Sequence, residues 1–291
     1  MVAFFETGIA LRKAPRGDEP RSADRLRLHY TVERRLADRL RAAQTVDERR
    51  AIFSSMYEEL FRLVPDHPRL LAQRKLQSDR DHGIDWDVAQ LKRFLRPGCT
   101  FLEIGAGDCA LSARIAKQVS RVYAVDICDQ TREALPENVT LVLSHGSDID
   151  VPEGSVDVAF SDQLMEHLHP DDAMAQLHNV HRALRKGGVY MCITPNRLYG
   201  PSDISAYFDD VARGFHLREY TVFEMKRVFR EAGFSGMRAY VGARGFFLRC
   251  PVAVITTVER ILDAMPVKLR RRIADNKLMR ALLGVRVAAI K

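Results

Sequence analysis

Between Cys99 and Ile193 the sequence carries five short, nearly unbroken apolar runs: Cys99–Ile104, Arg121–Asp126, Val139–Leu143, Val156–Phe160 and Gly188–Ile193. Helical patterns at 110–118 and 170–184 separate some of them. A strand that is apolar along its whole length must be covered on both faces, and strands that alternate with helices pair in parallel. The segment therefore predicts an α/β fold, a doubly wound and mostly parallel sheet with helices on both faces. Further on, 220–232 reads as a helix closed by Gly233, and 237–241 and 285–290 as two more strands, seven in all.

The first of these strands runs into Glu103-Ile104-Gly105-Ala106-Gly107-Asp108-Cys109-Ala110, just before a helix. Glycines there permit a tight turn and let a ligand approach the backbone, and in such sheets ligands bind at this edge. Asp126 ends the next strand 21 residues after Gly105. It is placed to accept hydrogen bonds from two ribose hydroxyls of a nucleoside cofactor. The turn alone does not select the cofactor. Gly105-x-Gly107-x-x-Ala110 also satisfies the dinucleotide pattern, so an NAD(P)-dependent oxidoreductase using the same turn stays open at this point.

Taken in register from about Phe94 to Pro195, the chain resembles the class I S-adenosylmethionine-dependent methyltransferases, in particular their small-molecule branch. Phe101-Leu-Glu-Ile-Gly-Ala-Gly107 looks like the first motif of that family, Val122–Asp126 like the second, and Ser147-Asp148-Ile149 lies where a carboxylate meets the adenine amino group. Ser155–Ser161 followed by Met165-Glu166-His167-Leu168 resembles the fourth strand and its loop, and Leu184–Gly188 the turn into the fifth. Cys109 departs from the pattern, since many members have a third glycine there. The resemblance implies a Rossmann-like fold, S-adenosyl-L-methionine as cofactor, and cofactor contacts from Glu103, Gly105, Ala106, Gly107, Asp126, Ile127, Asp148, Ile149 and Ser161. It places a methyltransferase domain at 97–291. The stretch 194–221 looks like the segment that supplies acceptor contacts, and Tyr57 belongs to helices that cover such sites. Glu166, Tyr207, His216 and Tyr57 are thus candidate substrate-binding residues.

Methyl transfer from a sulfonium is an in-line displacement, so alignment and exclusion of water dominate. A general base is required only for a hydroxyl acceptor, and His167, after the fourth strand with an imidazole pKa near ~6.5, is the candidate. Capping a helix or bonding a backbone carbonyl is the alternative role for this ring. The expected reaction is methyl transfer to a hydroxyl of a small molecule or glycan. The amino-methylating Asn-Pro-Pro-Tyr type of motif is replaced by Ser161-Asp162-Gln163, which speaks against base N-methylation. No metal is expected, because His29, His67, His145, His169, His178 and His181 lack ligand spacing on a common face.

The flanks differ from the core. Residues 1–20 read as a flexible tail and 21–96 as a helical N-terminal cap, ended in part by Pro65 and Pro68. Residues 1–97 hold 20 basic and 15 acidic residues, net +5; 98–198 hold 8 and 14, net −6; 199–291 hold 17 and 9, net +8. The overall +7 therefore belongs to the additions and not to the catalytic core. No aromatic-rich basic groove accompanies it, so no nucleic-acid partner is expected. Residues 252–283 form a basic helical insertion before the last strand, with apolar residues interleaved among Lys268, Arg270, Arg271, Arg272, Lys277 and Arg280. Such a stretch suits a polyanionic or membrane-associated acceptor, or peripheral membrane contact. The longest apolar runs fall far short of the ~20 residues of a membrane-spanning helix. With no leader pattern in Met1-Val-Ala-Phe-Phe-Glu and five scattered cysteines without a Cys-x-x-Cys pair, a cytoplasmic location is expected.

Overall fold

The computed structural model describes residues 9–13, 19–68, 70, 77–144, 148–243 and 246–291. Ser147 and His145 lie outside the described residues. The strands are β1 (Thr100–Ile104), β2 (Arg121–Asp126), β3 (Val139–Leu143), β4 (Val156–Asp162), β5 (Leu184–Thr194), β6 (Gly236–Ala243), β7 (Phe246–Cys250) and β8 (Val285–Ile290). They form one sheet in the order β3-β2-β1-β4-β5-β8-β6-β7. The first five in this order are mutually parallel. β8 is antiparallel to both β5 and β6, and β7 is antiparallel to β6.

The sheet has eight strands, where seven were expected. The extra one, β7, is an edge strand whose Phe246 and Leu248 are exposed, and its apolar run is only three residues long before Arg249 interrupts it, too short to mark a buried strand. The chain order reverses between β1 and β4, which opens a crevice beyond their carboxyl ends.

Strand alternation divides the core in two. Leu102, Tyr123 and Tyr190 pack with Ala173, Leu177 and Val180 of α5 (Pro170–Ala183) and with Met225 and Phe229 of α6 (Val222–Glu231). Phe101, Val122 and Phe160 pack on the opposite face with Leu111 and Ile115 of α4 (Ala110–Ala116) and Leu91 of α3 (Gln77–Leu91). Helices on both faces are as expected.

The N-terminal cap is α1 (Ala23–Ala42) and α2 (Val46–Leu63). Ser22 caps the first, and Thr45 with Glu48 forms a reciprocal capping box on the second, satisfying donors that helix starts leave unpaired. Leu36, Leu40, Met56 and Leu60 recur at helical spacing and bury a shared seam that also takes Phe215. Of the expected tail, residues 9–13 lie against this body: Arg12 N donates to the Tyr207 carbonyl at 2.8 Å, and Ile9 and Leu11 pack on Leu26 and Tyr30. The insertion comprises α7 (Val252–Asp263), α8 (Val267–Ala274) and α9 (Lys277–Leu283). Among the described residues no helix is long and apolar enough to cross a membrane.

Candidate active site

At the end of β1 the chain turns on two glycines with positive φ, Gly105 at +79° and Gly107 at +55°. Gly105 N and Ala106 N both donate to the Val125 carbonyl, at 2.8 and 3.0 Å. Gly107 N donates to Asp126 Oδ2 at 2.8 Å, while Asp126 Oδ1 accepts from Ile127 N at 2.8 Å. The carboxylate that ends β2 is thus fixed against the glycine turn. Cys109, at the N-cap of α4, has φ 60°, a left-handed value that accounts for glycine being common at this place in the resembling family.

The turn opens onto a cavity of about 320 Å³ lined by Asp87 of α3, Glu103 and Gly105 of the turn, and Phe160 and Asp162 of β4, among others. Four carboxyl groups, those of Asp87, Glu103, Asp108 and Asp162, therefore share one small space. Burial pushes Glu103 up to about 8, although the Ser112 hydroxyl donates to it at 2.6 Å. Burial and then the charge of Asp162 push Asp87 up to about 8, and burial raises Asp162 as well. Such crowding of carboxyls disfavours an anionic ligand and favours a cationic one.

Not every expected cofactor contact faces this cavity. Ser161 is fully buried and its hydroxyl shares a 2.7 Å hydrogen bond with Tyr190. The two-residue period of β4 turns Phe160 and Asp162 to the cavity and Ser161 away from it. Ile149 is buried in the opposite core. Asp148 forms an ion pair with Arg50 of α2. Ile127 is exposed at the end of β2.

A second group of polar residues lies in the loops after β4 and β5. Glu166 and His167 stand in a single 3-10 turn, 165–167. The Thr194 hydroxyl donates to Glu166 Oε2 at 2.8 Å, and burial pushes Glu166 up to about 7. His167 Nδ1 is 3.0 Å from the Phe215 carbonyl, so the carbonyl-bonding role foreseen for this ring is present. His216 crosses His167 edge to face, with ring centroids 4.9 Å apart. Burial alone would lower the His216 pKa, but the hydrogen bond from Nδ1 to Glu219 (2.8 Å) and the charge of Asp203 more than offset it and raise it. Candidates 49 residues apart in sequence, His167 and His216, thus meet.

The cap holds this loop in place. Glu33 of α1 accepts from Phe215 N at 3.1 Å, and Arg41 donates to the carbonyls of Arg213, Gly214 and His216. Tyr57 packs edge to face on Phe215 at 5.4 Å. Tyr207 is elsewhere, in a cluster with Leu26, Tyr30 and Phe208. Sequence reasoning missed Asp87, Asp162, Glu33, Asp203 and Glu219. A signal for Asp162 existed in the two-residue period of its strand; for the others, placement depends on tertiary docking.

Comparison with known proteins agrees with this geometry. Residues 102–192 match the sequence family described as a methyltransferase domain. The chain is similar to a probable S-adenosylmethionine-dependent methyltransferase of Mycolicibacterium smegmatis, 31% identical over 141 residues, which are 47% of this chain and 52% of that protein. It is also similar to a probable S-adenosylmethionine-dependent methyltransferase of Mycobacterium tuberculosis, 32% identical over 148 residues, 48% of this chain and 51% of that protein. The chain spans about half the length of the curated relatives it matches. Among solved structures, a phosphoethanolamine N-methyltransferase of Haemonchus contortus shares the fold at a TM-score of 0.52 and 16% identity, over 85% of this chain and 50% of that one. A chain of the Haloferax volcanii complex between the Trm112 methyltransferase activator and a methyltransferase does so at 0.51 and 13%, over 73% and 91%. Fold and glycine turn together are Rossmann-like, and residues 102–192 match a methyltransferase domain, in a chain similar to S-adenosylmethionine-dependent methyltransferases.

Proposed function

We propose that the protein transfers a methyl group from S-adenosyl-L-methionine to a hydroxyl of a small molecule or glycan. The observation that carries the cofactor assignment is the cavity itself: Asp87, Glu103 and Asp162 converge where a dinucleotide would need to place its anionic pyrophosphate. A cofactor with a sulfonium and an ammonium suits such a group of carboxyls; a pyrophosphate does not. When bound, S-adenosyl-L-methionine supplies a methyl group on a positively charged sulfur. Asp126 is set to hold ribose hydroxyls, and the turn from Gly105 to Gly107 admits the ligand close to the backbone. Ile127 is in reach of this edge, whereas Ile149 and Ser161 support the site from within the core.

On the acceptor side, His167 receives the hydroxyl proton, with His216 and Glu166 next to it. The Phe215 carbonyl orients the ring by binding Nδ1–H, which leaves the lone pair on Nε2. Tyr57 supports this loop through Phe215, while Tyr207, packed with Leu26 and Tyr30 of α1, is a less direct acceptor contact. The test is turnover of His167→Ala with labelled cofactor across a panel of hydroxyl acceptors. Cofactor binding is expected to be retained and turnover to fall ~10²–10⁴-fold, the usual worth of a positioned base; unchanged turnover removes His167 from this role.

A second reading, an acceptor presented at a membrane, is supported by the insertion. Ile261, Leu269 and Leu278 are exposed on α7, α8 and α9, and Lys268, Arg272 and Lys277 beside them are exposed too. Flotation with anionic and neutral liposomes tests it, and absence of binding to both ends it.

A further inference from the structure

We propose that Glu166, His167 and His216 form a binding site for a single divalent metal ion of the zinc class. Each residue offers one ligand atom, and these atoms all lie within 4.8 Å of one another. Two imidazoles and one carboxylate are the donor set of three-ligand zinc sites and of related two-histidine, one-carboxylate centres, which keep positions open for an oxygen ligand.

Proximity alone does not make a site; the surrounding hydrogen bonds make this one. Metal-binding histidines characteristically give their other ring N–H to a carboxylate or a carbonyl, which fixes the tautomer and aims the ring. His216 Nδ1 is 2.8 Å from Glu219 Oε1, and His167 Nδ1 is 3.0 Å from the Phe215 carbonyl. Both arrangements put the lone pair on Nε2. Glu219 is itself held, accepting from Ser202 N at 2.6 Å. Glu166 follows the same logic: Oε2 accepts from Thr194, while Oε1 is buried with no hydrogen-bond partner. A buried carboxylate oxygen left unpartnered costs about 1–3 kcal/mol or more, and a cation at Oε1 removes that cost. Glu166 is fully buried, so solvent does not supply the partner.

A second cluster of the same composition shows what such a site lacks when it is only structural. His29, Glu33 and His67 also come together. There, however, the Arg21 guanidinium stands 2.8 Å from His29 Nδ1, and Glu33 is already paired with His29 Nε2 at 2.8 Å. Arg21, itself held by Glu19, can only donate to His29 Nδ1, which puts the ring hydrogen on Nε2 facing Glu33 and leaves His29 no lone pair for an ion.

In the metal-loaded protein the His167 Nε2 lone pair is on the ion, so the ring is a ligand there and serves as a base only in the metal-free protein. The base role rests on the methyl-transfer reading; the binding of the ion does not. The test is accordingly direct. Metal-stripped protein is titrated with Co²⁺ and followed by visible absorption, and zinc retained after dialysis is measured by elemental analysis. One ion per chain is expected, with the absorption of a nitrogen and oxygen ligand set. Glu166→Gln keeps the shape and the Thr194 contact, and is expected to weaken Co²⁺ binding at least tenfold with an unchanged circular dichroism spectrum; His216→Ala is expected to abolish the absorption band. No stoichiometric binding by the unaltered protein, or equal binding by both folded variants, overturns the proposal. If Co²⁺ binds as expected and no labelled methyl reaches any hydroxyl acceptor, the site stands and the proposed reaction falls.

Discussion

Arg49 of the N-terminal cap grips Asp172, in the first turn of the helix after the site loop, with two hydrogen bonds of 2.7 and 2.6 Å across 123 residues of sequence. Both side chains are almost entirely buried, 3% and 11% exposed. Breaking such a pair by removing one partner leaves an uncompensated charge and costs about 3–5 kcal/mol. Arg49→Ala is expected to lose stability of that order in urea unfolding. The double variant Arg49→Met, Asp172→Leu is expected to recover a large part of it. A loss below about 1 kcal/mol would show that the cap does not depend on this contact.

Cys109 tests the turn. Its left-handed φ carries a cost of ~1–2 kcal/mol that glycine does not incur, whereas its fully buried side chain contributes packing that glycine lacks. These offset, so Cys109→Gly is expected to keep cofactor affinity and to shift thermal stability little. Cys109→Val adds a branch that this conformation does not tolerate, and cofactor affinity measured by calorimetry is expected to fall at least tenfold.

The carboxyls of the cavity predict proton release. Asp87 and Glu103, both pushed up to about 8 by burial, are largely protonated at pH 7, and a cationic ligand favours their ionised forms. Binding of S-adenosyl-L-methionine at pH 7 is expected to liberate protons, seen as a heat that varies with the ionisation enthalpy of the buffer. Asp87→Asn is expected to reduce the number released. A buffer-independent heat would contradict the charge argument.

Glu103 also sets a pH dependence of folding. Its pKa rises from an ordinary 4.5 to about 8 because it is buried, so the folded state holds the proton more tightly than the unfolded state does. The corresponding stability is fully present below about pH 4.5 and is lost as pH rises through about 8. Thermal melts of the ligand-free protein are expected to decline over that window, and Glu103→Gln to flatten the decline.

Gly200 guards Glu219. A Cβ at this position would stand 2.0 Å from Glu219 Oε2, and the carboxylate is buried and already held by Ser202 N and His216. Gly200→Ala is therefore expected to displace Glu219 and misalign His216. By analogy with the loss of supporting contacts elsewhere, turnover is expected to drop ~10–100-fold, with cofactor affinity unchanged because the glycine turn is separate.

The parallel core was legible because buried strands leave continuous apolar runs, and because a turn on Gly105 and Gly107 followed by Asp126 reflects local backbone needs. β7 was not, since its apolar run Phe246–Leu248 is only three residues long and an edge strand turns Phe246 and Leu248 outward and Phe247 inward. The acidic cavity was half legible: Glu103 belongs to a local motif, while Asp87 arrives on a helix whose docking no local pattern encodes. The meeting of Glu166, His167 and His216 shows the same limit, because Glu33 and Arg41 of the cap fix the loop that carries His216. Strand period also explains why Asp162, and not its neighbour Ser161, faces the cavity.

The position of β8 carries a consequence for how the chain is assembled. Residues 285–290 fill the slot between β5 and β6, pairing with both, so the hairpin of β6 and β7 has no neighbour in the sheet until that segment has been synthesised. A nascent chain halted before residue 285 presents two unfinished sheet edges, one on β5 and one on β6. Those open edges are where another strand could pair, and ribosome-stalled or prematurely ended chains are expected to be captured by chaperones at that seam.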